Sequence, residues 1–498
     1  MKQVYNPFLP TNVYIPDGEP HVFGDRVYLF GSHDEENADT YCALGYEIFS
    51  APVNDLTDWS SKGINYRADQ DPLASKTNRH YLYAPDCVVG NDGRYYLYYC
   101  LSGERGVGGY HGPISVAVCD TPDGKYEFYG HVKNEDGTIY SENVLFDPAV
   151  INDNGVIRLY YGTFYPFATL PKFMRKKMRR TESQMFGKTE EEILLEGDDI
   201  MGPYHVVLKE DMLTVSGKAT RIFPVHDKDS MFFSKMTLIP SNGHKWVGHG
   251  FFEGPSIRKI EDTYYFIYSS MMNHELCYAT SKYPDREYLY GGTIVSNGDV
   301  GFEGRREKDR LNFTATNHGS IECINGQWYV FYHRQTHGSD YSRQACAEKI
   351  FIKEDGSIDQ VQITSCGLNN GPLSGVGTYP AVICCNLTNG HMPHGSNSRQ
   401  YGFPMVYSED GYRFVKGMTK NTIASYKYFD LSKTGNITIQ LRGKGILQVK
   451  SDNNIVGTIS VDSDSWTDYT CNLTGGEKSV LSVAVKSGCI DMLEFTLK

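Results

Sequence analysis

One short pattern returns five times along this chain, and it restricts the fold more than any other feature. A polar residue opens it, a few apolar residues follow, then a turn rich in Gly, Asp or Asn, then an aromatic strand. The copies are DGEPHVFGDRVYLFGSHD from Asp17, DCVVGNDGRYYLYYC from Asp86, DPAVINDNGVIRLYYG from Asp147, EGPSIRKIEDTYYFIYSS from Glu253 and HGSIECINGQWYVFYHR from His318. The turn residues Asp25, Asp92, Asn154, Asp262 and Asn325 time them at steps of 67, 62, 108 and 63 residues. Each copy reads as a β-hairpin whose turn needs positive φ. A unit that cannot bury both faces alone must stack on its copies, and periods this long with several strands per unit predict a five-bladed β-propeller. An ordinary antiparallel sandwich with Tyr-rich strands is the alternative.

The spacing also sets the domain plan. Residues 1–365 form the all-β propeller, with AEKIFIKEDGSIDQVQIT after the fifth copy closing the ring. The long step holds an insertion between blades three and four, in which PKFMRKKMRRTESQMF and KTEEEILLEG have helical character. Its basic cluster, Lys172, Arg175, Lys176, Lys177, Arg179 and Arg180, reads as a solvated helix face offset by Glu190 to Glu192. A Gly-, Asn-, Pro- and Ser-rich stretch, 366–403, reads as a linker or wrapped loop. Beyond it, short alternating strands over 404–498 predict a small β-sandwich.

Composition narrows the partners. A net charge of −12 excludes nucleic acid and anionic membrane surfaces as natural partners and suits a neutral ligand. The opening MKQVYNPFLPTNVYIPDGEP lacks the apolar core of a secretory signal, and no later run reaches the roughly 18 apolar residues of a membrane span. The twelve cysteines show no CxxC pair and no metal-like Cys/His spacing. Together these features lead us to expect a cytoplasmic protein.

Residues that open equivalent strands of a propeller surround one axis. Here they are Asp17, Asp86, Asp147, Glu253 and His318. Four carboxyl groups converging in a partly desolvated funnel repel one another, which raises some of their pKa values and makes a proton-donating Glu available near neutral pH. Acid chemistry on a neutral substrate is the expectation.

The stretches NPFLP, DGEPHVFGDRVYLFGSHD, YAPD, FDPAV, FEGPSIRK and NHGS…WYVFYHR resemble glycoside hydrolase family 43, five-bladed propellers that include α-L-arabinofuranosidases, β-xylosidases and arabinanases. The resemblance spans roughly residues 1 to 380. It implies a catalytic base at Asp17, a pKa-modulating carboxylate at Asp147 and a general acid at Glu253. The family commonly has Asp-Pro at the first site, whereas this chain has Asp17-Gly18 and places Pro20 after Glu19. Asp17 is preferred over Glu19 as base because it lies eight residues before Asp25, the family's spacing from base to turn; Glu19 is then a structural or sugar-binding carboxylate.

The resemblance further implies inversion of the anomeric centre by single displacement, with the two carboxyl groups about 6.5–9.5 Å apart to admit a water. His318 is assigned as a Ca²⁺ ligand, directly or through water, and no cofactor is needed for the chemistry itself. Motif position nominates His33, Asp34, Tyr83, Asp86, Phe252 and Arg334 as substrate contacts. The substrate expected is a small oligosaccharide or aryl pentoside that loses a terminal arabinofuranose or xylose. The different-class alternative is a propeller that binds glycans without turnover. The C-terminal segment faintly resembles a family 6 carbohydrate-binding module, with Trp466 and Tyr469 as a stacking wall, although Met492 and Leu493 occupy the usual aromatic places.

Overall fold

The computed structural model describes residues 2–76, 79–103, 112–163, 189–191, 202–222, 249–395 and 400–498. Blade one contains β1 (Glu19–Phe23), β2 (Arg26–Phe30), β3 (Phe49–Pro52) and β4 (Ser60–Ser61). Blade two has β5 (Arg79–Val89), β6 (Tyr95–Gly103), β7 (Ile114–Cys119) and β8 (Glu127–His131); blade three has β9 (Ala149–Asp153), β10 (Val156–Tyr161), β11 (Tyr204–Leu208) and β12 (Val215–Arg221). Blade four has β13 (Phe251–Ile260), β14 (Thr263–Ser270), β15 (Glu275–Ser281) and β16 (Leu289–Ser296), and blade five has β17 (Ser320–Ile324), β18 (Gln327–Gln335) and β19 (Arg343–Ile350). Every blade is an antiparallel meander in chain order.

The inner strands β1, β5, β9, β13 and β17 touch in that order, and β17 returns to β1. Gly18 and Gly319 form the parallel bridge that joins the last blade to the first. A Cβ on Gly319 would sit 2.0 Å from the Phe331 carbonyl oxygen, so the close approach requires glycine. The N-terminal segment completes the closure. Phe8 N–H donates to Ala345 O at 3.1 Å, and the buried Asn6 side chain bonds both the Ala347 carbonyl (2.9 Å) and the Ala347 N–H (3.1 Å).

The second strands are aromatic throughout because they lie between neighbouring blades with both faces covered. Burial of this kind replaces polar alternation with a continuous apolar run. Tyrosine suits the position since its ring fills the interface and its hydroxyl finds a carbonyl. Tyr98 of blade two donates to Met212 O of blade three (2.6 Å), Tyr160 of blade three to Pro284 O of blade four (2.9 Å), and Tyr265 of blade four to Gly356 O after β19 (2.9 Å). Tyr46 links blade one to Tyr83 O of blade two at 2.7 Å.

The 108-residue step divides differently from the expectation. The basic segment 171–186 falls between β10 and β11, inside blade three, rather than between blades three and four. Turn residues time only the inner hairpins, so their spacing could not say which connection carries the insertion. Its helical character lies outside the described residues, apart from 189–191.

Among the described residues, the C-terminal region is a β-sandwich of nine strands, and it begins earlier than the alternation suggested. Within the stretch read as linker or wrapped loop, β20 (Leu373–Ser374), β21 (Gly377–Pro380) and β22 (Asn386–Thr388) pair with β25 (Ile423–Asp430) and β28 (Ser479–Leu497). These strands are two to four residues long and hidden by Gly and Pro. The remaining strands are β23 (Met405–Glu409), β24 (Tyr412–Thr419), β26 (Asn436–Ser451) and β27 (Asn454–Asn472). Met492 is fully buried in the sandwich core beside Ile490 and Phe495. Trp466 stands edge-on to Phe414 at 5.2 Å and lies under the Arg442 guanidinium at 4.6 Å, while Tyr469 packs against the core. Both rings are thus engaged within the sandwich.

The two domains are tied by polar contacts. Glu36 of blade one accepts from Arg413 Nη2 at 2.9 Å and from Ser408 Oγ. Buried Lys427 donates to Asp299 at 3.2 Å. Among the described residues, no helix is long and apolar enough to cross a membrane.

Candidate active site

Asp17, Asp147 and His318 each stand two residues before the first residue of their inner strand, and Glu253 is the third residue of β13. All four line one cavity of about 300 Å³ at that end of the ring. The backbone explains why these residue types sit there. Asp17 (φ 57°) and Asp147 (φ 46°) are left-handed, a conformation that Asp tolerates better than most side chains because it can hydrogen-bond locally. Blade four uses Gly254 (φ 63°) at the matching place, and β-bulges on either side of Glu253 place the acid one residue earlier. A Cβ on Gly254 would meet the His318 ring at 2.8 Å, so the Gly of FEGPS is what lets the imidazole pack against the acid's strand.

The carboxyl groups occupy different electrostatic surroundings. Burial raises the Asp17 pKa, yet the Arg343 guanidinium, with Nη1 2.8 Å from Asp17 Oδ1, outweighs it. The net result is a carboxyl held far below the usual range and ionised at neutral pH. His333 is fully buried; its Nε2 faces Thr316 O at 2.8 Å and so carries the proton, leaving Nδ1 to accept the Asp17 N–H at 3.2 Å. Arg343 is itself held by Asp34, which accepts from Nε at 2.8 Å and Nη2 at 3.0 Å. The Tyr41 ring lies 4.9 Å from the same guanidinium.

Glu253 is pushed up to about 8, first by burial and then by the charge on Asp17, with Arg343 opposing. Burial, Glu253 and Asp17 push Asp147 up as well, against the Gly254 N–H that donates to its Oδ2 at 3.1 Å. The two carboxyl groups therefore hold at least one shared proton near neutral pH. The Gly254 N–H favours the ionised form of Asp147, whereas among the described residues no donor reaches Glu253. Burial lowers His318 to about 4 despite nearby Asp17, so its ring is neutral.

Of the substrate contacts nominated by motif, Tyr83 and Phe252 line the cavity. The other four do not, and each has another task. Asp34 lies behind the wall and fixes Arg343. His33 is buried, with Nδ1 3.0 Å from Gly45 O. Asp86 is fully buried further along the channel, accepting from Cys87 N–H and Val150 N–H at 2.7 Å each. Arg334 donates to the Cys384 and Cys385 carbonyls and so fastens the propeller to the sandwich. Strand alternation accounts for this last case: Arg334 and His333 are neighbours on β18, and it is His333 that faces Asp17. The expected Ca²⁺ ligand, His318, has Asp17 Oδ1 3.7 Å from its Nδ1. Among the described residues, the groups whose ligand atoms converge are Glu19–His21–Asp86 and His249–Glu275–Cys277, neither of which includes it.

Five cavity residues escaped the motifs: Tyr41, Cys42, Asn273, Thr316 and Arg343. Asn273 Oδ1 and Thr316 Oγ1 are buried with no hydrogen-bond partner among the described residues. Buried polar atoms of this kind cost about 1–3 kcal/mol unless water or a ligand pairs with them, and these two face the cavity.

Comparison with known proteins agrees with this fold. The family described as glycosyl hydrolases family 43 matches residues 5–358. A xylosidase/arabinosidase of Thermoclostridium stercorarium is 41% identical over all of this chain and 99% of its own length. Xylosidase/arabinosidase 43A of Humicola insolens is 27% identical over 70% of this chain and 97% of its own. A solved GH43_1 enzyme from Xanthomonas citri shares the fold, with a TM-score of 0.51 and 22% identity over 72% of this chain and 94% of that one. With its ring of five blades and its acidic cavity, this chain belongs to glycosyl hydrolase family 43.

Proposed function

We propose that the protein is an inverting, exo-acting glycosidase that releases a terminal pentose, α-L-arabinofuranose or β-D-xylose, from small plant-derived oligosaccharides. The observation that carries this reading is that three carboxyl groups at one cavity have opposite pKa directions, Asp17 pulled down and Glu253 and Asp147 pushed up. Glu253, protonated at neutral pH, gives its proton to the leaving oxygen; ionised Asp17 takes a proton from the water that attacks the opposite face. Asp147 keeps the shared proton on Glu253 by repulsion. The pentose assignment draws on the xylosidase/arabinosidase relatives. A cavity of about 300 Å³ lies at the small end of ligand sites, which suits one terminal sugar. Tyr41, Tyr83, Phe146 and Phe252 offer apolar wall to a C–H face, and Asn273 and Thr316 offer their unpaired oxygens to hydroxyls.

The chemistry needs no cofactor. A Ca²⁺ ion beside His318 would meet Asp17, whose Oδ1 already binds Arg343, and would need further oxygens from water to reach its usual six to eight. We assign the protein to the cytoplasm, a setting supported by twelve cysteines none of which is bonded to another.

The test is turnover of aryl arabinofuranosides and aryl xylosides by the wild type and Glu253→Gln. One or both substrates should be cleaved. The variant should lose about 10²–10⁴-fold on a poor leaving group such as methoxyphenol, and much less on dinitrophenol, which departs without protonation. Binding without turnover would make this a glycan-binding propeller, and equal losses on both leaving groups would remove Glu253 as the acid.

A further inference from the structure

Further along the channel from the catalytic cavity, all five blades contribute polar groups at one level. Glu19 and His21 share a face of β1, Asp86 comes from β5, the Val150 N–H from β9, Ser256 and Arg258 from β13, and Ser320 and Glu322 from β17. One oxygen, nitrogen or carboxylate atom from each of Glu19, His21 and Asp86 lies within 4.8 Å of the others. None of the three lines the catalytic cavity.

Glu19 is 2% exposed. Its Oε2 is occupied, accepting from Ser256 Oγ at 3.0 Å and Arg258 Nη2 at 3.1 Å. Its Oε1 is buried and has no hydrogen-bond partner among the described residues. His21 Nε2 sits 2.7 Å from Asp86 Oδ1, and the other Asp86 oxygen is pinned by Val150 N–H. Arg258 reaches Glu19 at 3.1 Å and Glu322 at 3.7 Å, holding Glu19 Oε2 and leaving Oε1 turned toward His21 and Asp86.

We propose that Glu19, His21 and Asp86 bind one first-row divalent cation of the Zn²⁺ class, joining blades one and two beneath the catalytic cavity. An imidazole with two carboxylates favours such an ion over Ca²⁺, which takes oxygen ligands. Small side-chain rotations would bring the three donors to the roughly 2.0–2.2 Å that Zn²⁺ requires, with water completing a tetrahedron. Ser256, Arg258 and the Val150 N–H hold the carboxylates from behind, as metal ligands need.

The full-length protein, stripped with EDTA and dialysed, is titrated calorimetrically with ZnCl₂ and separately with CaCl₂, and its Co²⁺ form is examined by absorption. One equivalent of Zn²⁺ should bind and raise Tm, and Co²⁺ should show no thiolate charge-transfer band. His21→Gln and Glu19→Gln should each weaken Zn²⁺ at least 10-fold, with circular dichroism confirming that both remain folded. Cys277→Ser, which breaks the His249–Glu275–Cys277 group, should leave binding unchanged. The proposal is overturned by absence of Zn²⁺ binding, by equal affinity in both channel variants, by loss of binding in Cys277→Ser, or by Ca²⁺ binding where Zn²⁺ does not.

Discussion

Arg343 controls more of this site than its place in the sequence suggests. It lowers the pKa of Asp17 and opposes the rise of Glu253. Arg343→Gln should therefore move both limbs of the pH profile of kcat/KM the same way. Asp17 must be ionised to act, so activity is lost as pH falls through its pKa; without the guanidinium that pKa rises, and the acid limb moves to higher pH by about 1–3 pH units. Glu253 must be protonated, so activity is lost as pH rises through about 8, and removing Arg343 carries that limb upward too. A profile that merely scales down would show that Arg343 does not set these pKa values. Asn273→Ala should lower kcat/KM about 10-fold or more on aryl pentosides, while stability falls only by the roughly 1–2 kcal/mol that Ala costs on a backbone of φ 71°, because Oδ1 has no partner to lose among the described residues.

The residues that the repeat could time were legible in the sequence. Asp17, Asp147, Glu253 and His318 open equivalent strands, and period counting finds equivalent positions. Arg343 was not legible, since it opens β19, the third strand of its blade, which no turn residue times. Tyr41 and Cys42 come from the loop between β2 and β3, where spacing carries no register. Asp34 and Arg334 were nominated for their chemistry, yet both are spent on holding other parts of the protein. Motif position alone does not say which way a side chain points.

At the level of the elements, the bulge in β13 and the left-handed residues before β1 and β9 set the carboxyl groups at one height. Gly254→Ala should be costly, because the new methyl would meet the His318 ring at 2.8 Å on a backbone of φ 63°. We expect a loss of about 1–3 kcal/mol in stability by thermal unfolding, together with a fall in kcat as the acid's strand moves. The hairpins were legible from aromatic runs and turn residues, because buried second strands cannot alternate. The short strands at 373–388 were not, since two to four residues among Gly and Pro carry no periodicity and become strands only by pairing with β25 and β28.

For the whole molecule, closure of the ring is the step on which the cavity depends, since Asp17 and Arg343 come from its two ends. Asn6 is the pin. Its amide donates to Ala347 O, Glu348 Oε1 and Thr364 O, and its carbonyl oxygen accepts Ala347 N–H, all in buried surroundings. Asn6→Ala should destabilise the protein by about 3 kcal/mol or more, as several buried groups lose their partners at once, and a denaturant titration would measure it. The sandwich adds a second tie through Glu36, Arg334 and Lys427, which the sequence showed only as scattered charges. The division of roles between Asp17 and Glu253 is tested most directly by proton NMR of the first sugar released from an aryl β-D-xyloside or aryl α-L-arabinofuranoside. Single displacement gives α-xylose or β-arabinose before mutarotation; first appearance of the anomer with the substrate's own configuration would contradict it.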